Sequence, residues 1–346
     1  MKKNTIRNCV LAVAATVSTS AFSNFSQADA AEINIYSYRQ EILIRPLIDR
    51  FEEKTGIVVN LVNGKADVLL ERLKSEGDNS PADILLTADA GRLVRAKEAG
   101  VLKSVESDAL NSLIPAKFRD PEGYWYGLSM RARVIYTSVD RMKEGEITTY
   151  EQLADPKWKN SICIRSSSNV YNQSLLGSLI VHNGEEAAQK WADGVVANMA
   201  RKPQGGDRDQ IKAIAAGECD IAVGNTYYLG RMLASGDDAD KEAGSKVRVI
   251  FPNQDGRGTH VNVSGGAITK SSHNTEDAIK FLEFLASDEA QVIYAQSVYE
   301  YPLRAEIEKS PVIANWGDFK ADDLPLADFA SKQKEAVQIF DKAGWR

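Results

Sequence analysis

Two adjacent phenols, Tyr227 and Tyr228, follow the apolar run CDIAV and the linker Gly224-Asn225-Thr226. Neighbouring residues inside a strand point to opposite faces. Both rings can therefore address one site only where the chain turns. Asn225 or Thr226 is placed to cap a helix there, with the tyrosines in its first turn. The positive helix end favours anions, which predicts that these phenols ionise more readily than the usual value of about 10. A second strand end, ICIR, leads into Ser166-Ser167-Ser168-Asn169-Val170-Tyr171. Its Ser and Asn residues precede a helix and make a cradle for an anion, with Tyr171 just inside. A third, INIY, is followed by Ser37-Tyr38-Arg39-Gln40, which carries a phenol, a guanidinium and an amide. Arg131 and Arg133 add two cations near the middle of the chain.

Phenolate is a hard anionic oxygen donor, and hard, highly charged cations select such donors. Fe³⁺ is the obvious biological candidate. Three phenolates neutralise a trivalent ion, and binding must displace their protons, so affinity falls in acid. The arginines are then left to hold a small anion such as carbonate or bicarbonate. Taken singly, each feature has an ordinary explanation: a Tyr-Tyr pair is core plus surface, a Ser-rich helix start is a cap, and an Arg is a solvated charge. Convergence of Tyr and Arg at several strand ends favours the metal reading. Tyr36 alternates with Ile35 and reads as sheet packing. His182, His260 and His273 are far apart in sequence and read as surface residues. Asp67 either caps its helix or reaches the cleft.

These residues need a scaffold. The chain has 346 residues, 42 basic and 48 acidic, with 43% apolar content. Such numbers fit a soluble protein of about two domains. The net charge of −6 argues against a nucleic-acid partner. Lys2, Lys3 and Arg7, the run VLAVAATV and Ala28-Asp29-Ala30 form the three-part pattern of a secretory leader. Its apolar run is too short to span a bilayer, and cleavage is expected after Ala30. Cys9 lies before that run, so no lipid-anchor pattern is visible. The mature chain then has 39 basic and 47 acidic residues, net −8, and keeps Cys163 and Cys219. In an oxidising compartment these two can pair; two buried thiols on neighbouring strands is the alternative.

Beyond the leader, strand-like runs alternate with helical ones. EINIY, IVVNLV and ADILLT are strands, separated by helices whose apolar faces run through Leu43, Leu47, Ile48 and Phe51, and through Val68, Leu69 and Leu73. Gly56, Gly100 and Gly184 are natural helix stops. SICIR, CDIAVGN, KVRVIFPN and VNVSGGAIT are further strands. TEDAIKFLEFLASDEAQVIYAQ and LADFASKQKEAVQIFDKAG each read as one amphipathic helix. Such alternation implies sheets covered by helices on both faces, with ligands beyond the strand ends.

The motifs GNTYY, ICIRSSSNVYNQS, GLSMRARVIY, INIYSYRQ, SPADILLTADAGRL and FLEFLASDEAQ, separate motifs that match in order over nearly all of residues 31–346, together resemble the periplasmic ferric-ion-binding proteins. These are the transferrin-like solute-binding components of bacterial iron ABC importers. The resemblance implies an α/β, two-lobed periplasmic-binding-protein fold of type II. Each lobe would be a mixed, mostly parallel sheet flanked by helices, with a hinge between. We place the first lobe at 31–130 plus 256–305 and the second at 131–255 plus 306–346, including the C-terminal helix. The resemblance carries metal ligation onto Tyr171, Tyr227 and Tyr228, and the cleft arginine onto Arg131. Where some members supply a His, this chain has Gln40, so Arg39 and Gln40 are expected to hold the anion with Arg131. Asp67 is the nearest match to a Glu ligand of some members, and Tyr38 is an alternative fourth phenol. The implied protein is a periplasmic, monomeric carrier that is not membrane-inserted. It would close on Fe³⁺ and deliver it to an inner-membrane ABC permease. The alternative is a two-lobed binder of an oxyanion or small carboxylate. A hydrolase is disfavoured: G-x-S-x-G and H-E-x-x-H are both missing.

Overall fold

The structure is a computed structural model that describes residues 1, 31–39 and 41–346. The leader pattern, with its cleavage after Ala30, and Gln40 lie outside the described residues. Eight strands are present among the described residues: β1 (Glu32–Ser37), β2 (Val58–Asn63), β3 (Ile84–Ala88), β4 (Tyr126–Ser138), β5 (Ile162–Cys163), β6 (Ile221–Asn225), β7 (Val247–Ile250) and β8 (Val261–Ile268). They run in the order β2-β1-β3-β8-β4-β6-β5, with β7 also on β4. β1 pairs parallel with β2 and β3, and β5 pairs parallel with β6. β8 and β4 are the antiparallel strands that join these two parallel groups. The result is the mixed sheet with flanking helices of the type II periplasmic-binding-protein fold.

β4 carries the organisation. Its first part, Tyr126–Ala132, pairs with β8, with a register shift between Gly127 and Ser129. Its second part, from Arg133 onward, pairs with β6 and β7. Arg131 lies opposite Asn262 and Arg133 opposite Asn225, on either side of this handover. Because side chains alternate across a strand, both guanidinium groups leave the same face.

The helices form where apolar residues recur at 3.6-residue spacing. In Glu41–Thr55 the buried face is Ile44, Leu47, Ile48 and Phe51, each worth about 1.5–3 kcal/mol of burial. Leu43 is only partly buried and reaches the cleft instead. Gly56 ends this helix at φ +73°, a conformation that costs a side chain but not glycine. Val68 is 60% exposed, so the face of Ala66–Glu76 is Leu69 and Leu73 without it. The long segment after Thr275 breaks into Thr275–Ala286, Asp288–Ile293 and a π-turn over Tyr294–Val298, because Ser287 caps a new start. The C-terminal run likewise divides into Leu326–Ala330 and Gln333–Ala343.

Cys163 of β5 and Cys219, just before β6, form a disulfide with 5.9 Å between Cα atoms. It cross-links the two strands that lead to Tyr171 and Tyr227. The indole N–H of Trp345 donates to the Arg165 carbonyl (2.9 Å), fixing the same loop from the C-terminus. No helix among the described residues is long and apolar enough to cross a membrane.

Candidate functional site

β6 ends at Asn225, whose extended backbone (φ −86°, ψ 139°) starts the helix Thr226–Leu233. Asn225 is thus the N-cap position, but its side chain does not cap. Its Oδ1 accepts from Arg133 Nη1 (3.0 Å). The elbow is held by its backbone as well: Asn225 N donates to Asp207 Oδ2 (3.0 Å), and the Tyr136 hydroxyl donates to the Asn225 carbonyl (2.8 Å). Tyr227 and Tyr228 follow in the first turn, with ring centroids 4.2 Å apart. The second helix, Val170–Asn183, is capped by Asn169, whose Oδ1 accepts from Tyr171 N (3.0 Å), a contact worth about 1 kcal/mol. The Ser166 and Ser168 hydroxyls bond each other within the loop (3.0 Å).

These helix starts converge. The Tyr227 hydroxyl lies 3.4 Å from the Tyr171 hydroxyl. Tyr38, Arg39, Tyr171, Tyr227 and Tyr228 line one cleft of about 180 Å³, with Arg231 and Glu300 on its wall. Arg131 lies behind it, beneath Tyr171, in a tight space shared with Asp89, Arg133, Asn225, His260 and Asn262. The guanidinium carbons of Arg131, Arg165 and Arg133 sit 5.1, 5.6 and 5.8 Å from the centre of the Tyr171 ring, all within cation–π range. Arg92 covers the Tyr38 ring at 4.4 Å.

The charges are arranged in buried groups. Asp207, fully buried, accepts from Arg133 Nη1 (3.2 Å) and Arg165 Nη1 (3.3 Å). Asn172 Oδ1 takes Arg133 Nη2 (2.6 Å). Arg39 Nη2 donates to both oxygens of Glu300 (2.9 and 3.2 Å). Glu300 also accepts from the Ser129 and Ser264 hydroxyls. Burial raises the Glu300 carboxyl, but Arg39 and Arg131 outweigh it and hold it below the usual range. Burial works against the Arg131 charge, yet Tyr171, Asp89 and Glu300 strengthen its hold on the proton. Six guanidinium groups, Arg39, Arg92, Arg131, Arg133, Arg165 and Arg231, thus surround the site with three carboxylates, Asp89, Asp207 and Glu300. The formal surplus is three positive charges.

The expectation of readily ionised phenols is overturned in the protein by itself. Burial first, then Tyr171 and Tyr228, push Tyr227 well above its usual range, and Arg131 only partly offsets them. Burial, Tyr171 and Asp207 push Tyr228 the same way. Tyr38 is raised by Tyr171 and by burial, with Arg92 opposing. The helix end and the arginines are present, but loss of solvent and mutual repulsion win.

Other residues fall elsewhere. Asp67 is exposed and pairs with Arg95 (3.1 Å); it neither caps its helix, whose N-cap is Lys65, nor reaches the cleft. Tyr36 is buried in the sheet, its hydroxyl on Glu76. His182 contacts Asp322 (2.7 Å). His260 is not at the surface: it is 3% exposed, and burial together with Arg133 and Arg131 pulls its pKa down to about 3. Glu300, Arg231, Asp207, Asp89 and Asn172 are absent from the residues singled out by sequence. Asp207 reads there as an ordinary first-turn acid, and nothing local marks Glu300.

Residues 79–320 match the family described as bacterial extracellular solute-binding protein. Iron uptake protein A1 of Synechocystis is 50% identical over 315 residues, covering 91% of this chain and 88% of that protein. A solved Trichodesmium IdiA (FutA) protein, in complex with iron and citrate ligands, is 49% identical with a TM-score of 0.89, covering 91% of this chain and all of that one. The apo ferric ion-binding protein A of Pasteurella haemolytica is 44% identical with a TM-score of 0.86, covering 91% and 98%. With its strand order, its cleft at the strand ends and similarity along nine-tenths of its length, the chain belongs to the bacterial extracellular solute-binding proteins, in the family that includes these iron-uptake and ferric-ion-binding proteins, and is not an enzyme.

Proposed function

We propose that this protein captures Fe³⁺ in the cleft on the phenolate oxygens of Tyr171, Tyr227 and Tyr228. A small anion such as carbonate completes the coordination, held by Arg39 and Arg131. The observation that carries this reading is the convergence of three phenols from two helix starts, with two hydroxyls 3.4 Å apart, amid surplus guanidinium charge. Protonated phenols repel nothing and bind little; a trivalent cation displaces their protons and turns mutual repulsion into shared attraction. With three phenolates neutralising the ion, the surplus positive charge of the surroundings suits an anion. The iron and citrate named for the Trichodesmium relative support iron with an oxygen-rich anion as the cargo. Tyr38 stands on the same wall as a fourth phenol.

Capture proceeds by closure. The sheet half of β1, β2, β3, β8 and the first part of β4 moves against the half of β5, β6 and β7, about the chain crossings within β4 and ahead of β8. The lobes are 31–130 plus 256–305 and 131–255 plus 306–346. Differential affinity of Fe³⁺ for the closed form drives this motion. The leader ending near Ala30 takes the chain to the periplasm, where the loaded monomer docks on an inner-membrane ABC permease and opens to release iron.

The guanidinium surplus also favours a second reading, an oxyanion or small carboxylate as the sole ligand. Titration with ferric nitrilotriacetate, with and without bicarbonate, separates the two. Iron on phenolate gives a visible charge-transfer band that needs Tyr227 and Tyr228. An anion bound alone gives heat in calorimetry and no colour.

A further inference from the structure

Asp89 stands directly after β3, and several features single it out. Its backbone has φ +89° and ψ 124°, a region that costs any residue but glycine, and it is fully buried. Such strain persists where the surroundings over-determine the conformation. They do so here: Asp89 N donates to the Val263 carbonyl (2.8 Å), and the next amide, Ala90 N, donates to Asn262 Oδ1 (2.8 Å). Oδ1 of Asp89 accepts from Gly91 N (3.0 Å), capping the helix Ala90–Glu98, and from the Ser174 hydroxyl (2.6 Å). Oδ2 has no hydrogen-bond partner, and the nearest cation is Arg131 Nη2 at 3.7 Å, itself unpartnered and 1% exposed.

The two ends of this contact belong to different parts of the sheet. β3 lies in the group with β1, β2 and β8, whereas Ser174 lies in the helix that follows β5. Ser174 is one turn beyond Tyr171 and shares its helix face. Arg131, the other neighbour of Asp89, lies under the Tyr171 ring. One buried carboxyl therefore touches both the helix that carries Tyr171 and the guanidinium that supports its ring.

We propose that Asp89 is a positioning residue that couples closure of the cleft to the placing of Tyr171 and Arg131. The proposal rests on the iron reading above. The Ser174 bond joins the two parts of the sheet (2.6 Å), so in this reading it holds them together in the closed, loaded form. The second carboxylate oxygen keeps Arg131 beneath Tyr171 and competes with an incoming anion for its charge.

The test uses the purified protein loaded with ferric nitrilotriacetate and bicarbonate. Ser174→Ala removes the bond between the two sheet groups and leaves the strained turn intact. Asp89→Asn keeps an acceptor for Gly91 and Ser174, tolerates positive φ, and removes the charge facing Arg131. In Ser174→Ala, iron release to excess citrate is expected to quicken roughly tenfold or more, the scale of losing a hydrogen bond to a charged group. Its gain in thermal midpoint on iron loading shrinks, while the metal-free midpoint stays put. In Asp89→Asn, the bicarbonate concentration needed for half-maximal colour falls severalfold, a change Ser174→Ala does not share. Wild-type release in Ser174→Ala, or equal loss of midpoint with and without iron, overturns the latch. An unchanged bicarbonate requirement in Asp89→Asn overturns the role toward Arg131. A wild-type protein that gives no ferric colour refutes the iron reading itself, an outcome distinct from both.

Discussion

Binding should release protons in a number set by the phenols. Tyr227 and Tyr228 are both pushed above the usual phenol range by burial and by their neighbours, so both carry protons at neutral pH. A ferric ion can use them only as phenolates. The sign follows: the free protein holds the protons and the complex does not, so affinity rises with pH and falls in acid. Each displaced proton changes the apparent binding constant about tenfold per pH unit, or about 1.4 kcal/mol. Tyr227 and Tyr228 together give about a hundredfold per unit. The count is read directly by adding ferric nitrilotriacetate to weakly buffered protein at pH 7 and measuring the base needed to hold the pH. Protons exchanged by chelator and bicarbonate are subtracted. At least two protons per iron are expected, and one fewer for Tyr228→Phe. Full visible colour with fewer than one proton released, or an undiminished count in Tyr228→Phe, would refute the phenolate account.

Asp207→Ala leaves Arg133 and Arg165 without their buried carboxylate and strands the Asn225 N–H; a loss of about 3–5 kcal/mol in urea unfolding is expected, and a loss under 1 kcal/mol would show that the elbow is held otherwise. Replacing both Cys163 and Cys219 by Ser opens a closure spanning 56 positions; the chain-entropy account gives about 4 kcal/mol, checked by the same unfolding. His260 binds its proton more weakly when folded, at about 3, than in the unfolded chain at about 6.5. The unfolded state therefore holds the extra proton between those values, and stability falls as pH drops through that window. The slope is up to about 1.4 kcal/mol per pH unit, and His260→Gln should flatten it in unfolding curves from pH 7 to 4.

The strand ends are legible in the sequence because each is a short β-branched or aliphatic run followed by residues that start helices. Tyr171, Tyr227 and Tyr228 are therefore placed by local chemistry, and so are the stops at Gly56, Gly100 and Gly184, all at positive φ. β4 is not legible in this way. Its residues include Gly127, Arg131 and Arg133, and its pairing depends on partners such as Asn262 and Asn225, more than ninety residues away. Glu300 follows a π-turn and a left-handed Tyr299, so its arrival beside Arg39 is fixed by packing. The acidity expected of the phenols fails for a related reason: helix ends can be read from spacing, but burial depends on what the rest of the chain places around them. Asp89 looks like an ordinary helix cap, and its second role appears only once Ser174 and Arg131 are beside it.

The most direct measurement is the visible spectrum at pH 7 as ferric nitrilotriacetate and bicarbonate are added to the purified protein and to the Tyr227→Phe/Tyr228→Phe double variant. A broad charge-transfer band that saturates at one iron per chain, and disappears in the variant while its fold persists by circular dichroism, is the predicted result. A colourless wild-type protein, or a variant with the same band and affinity, would contradict it.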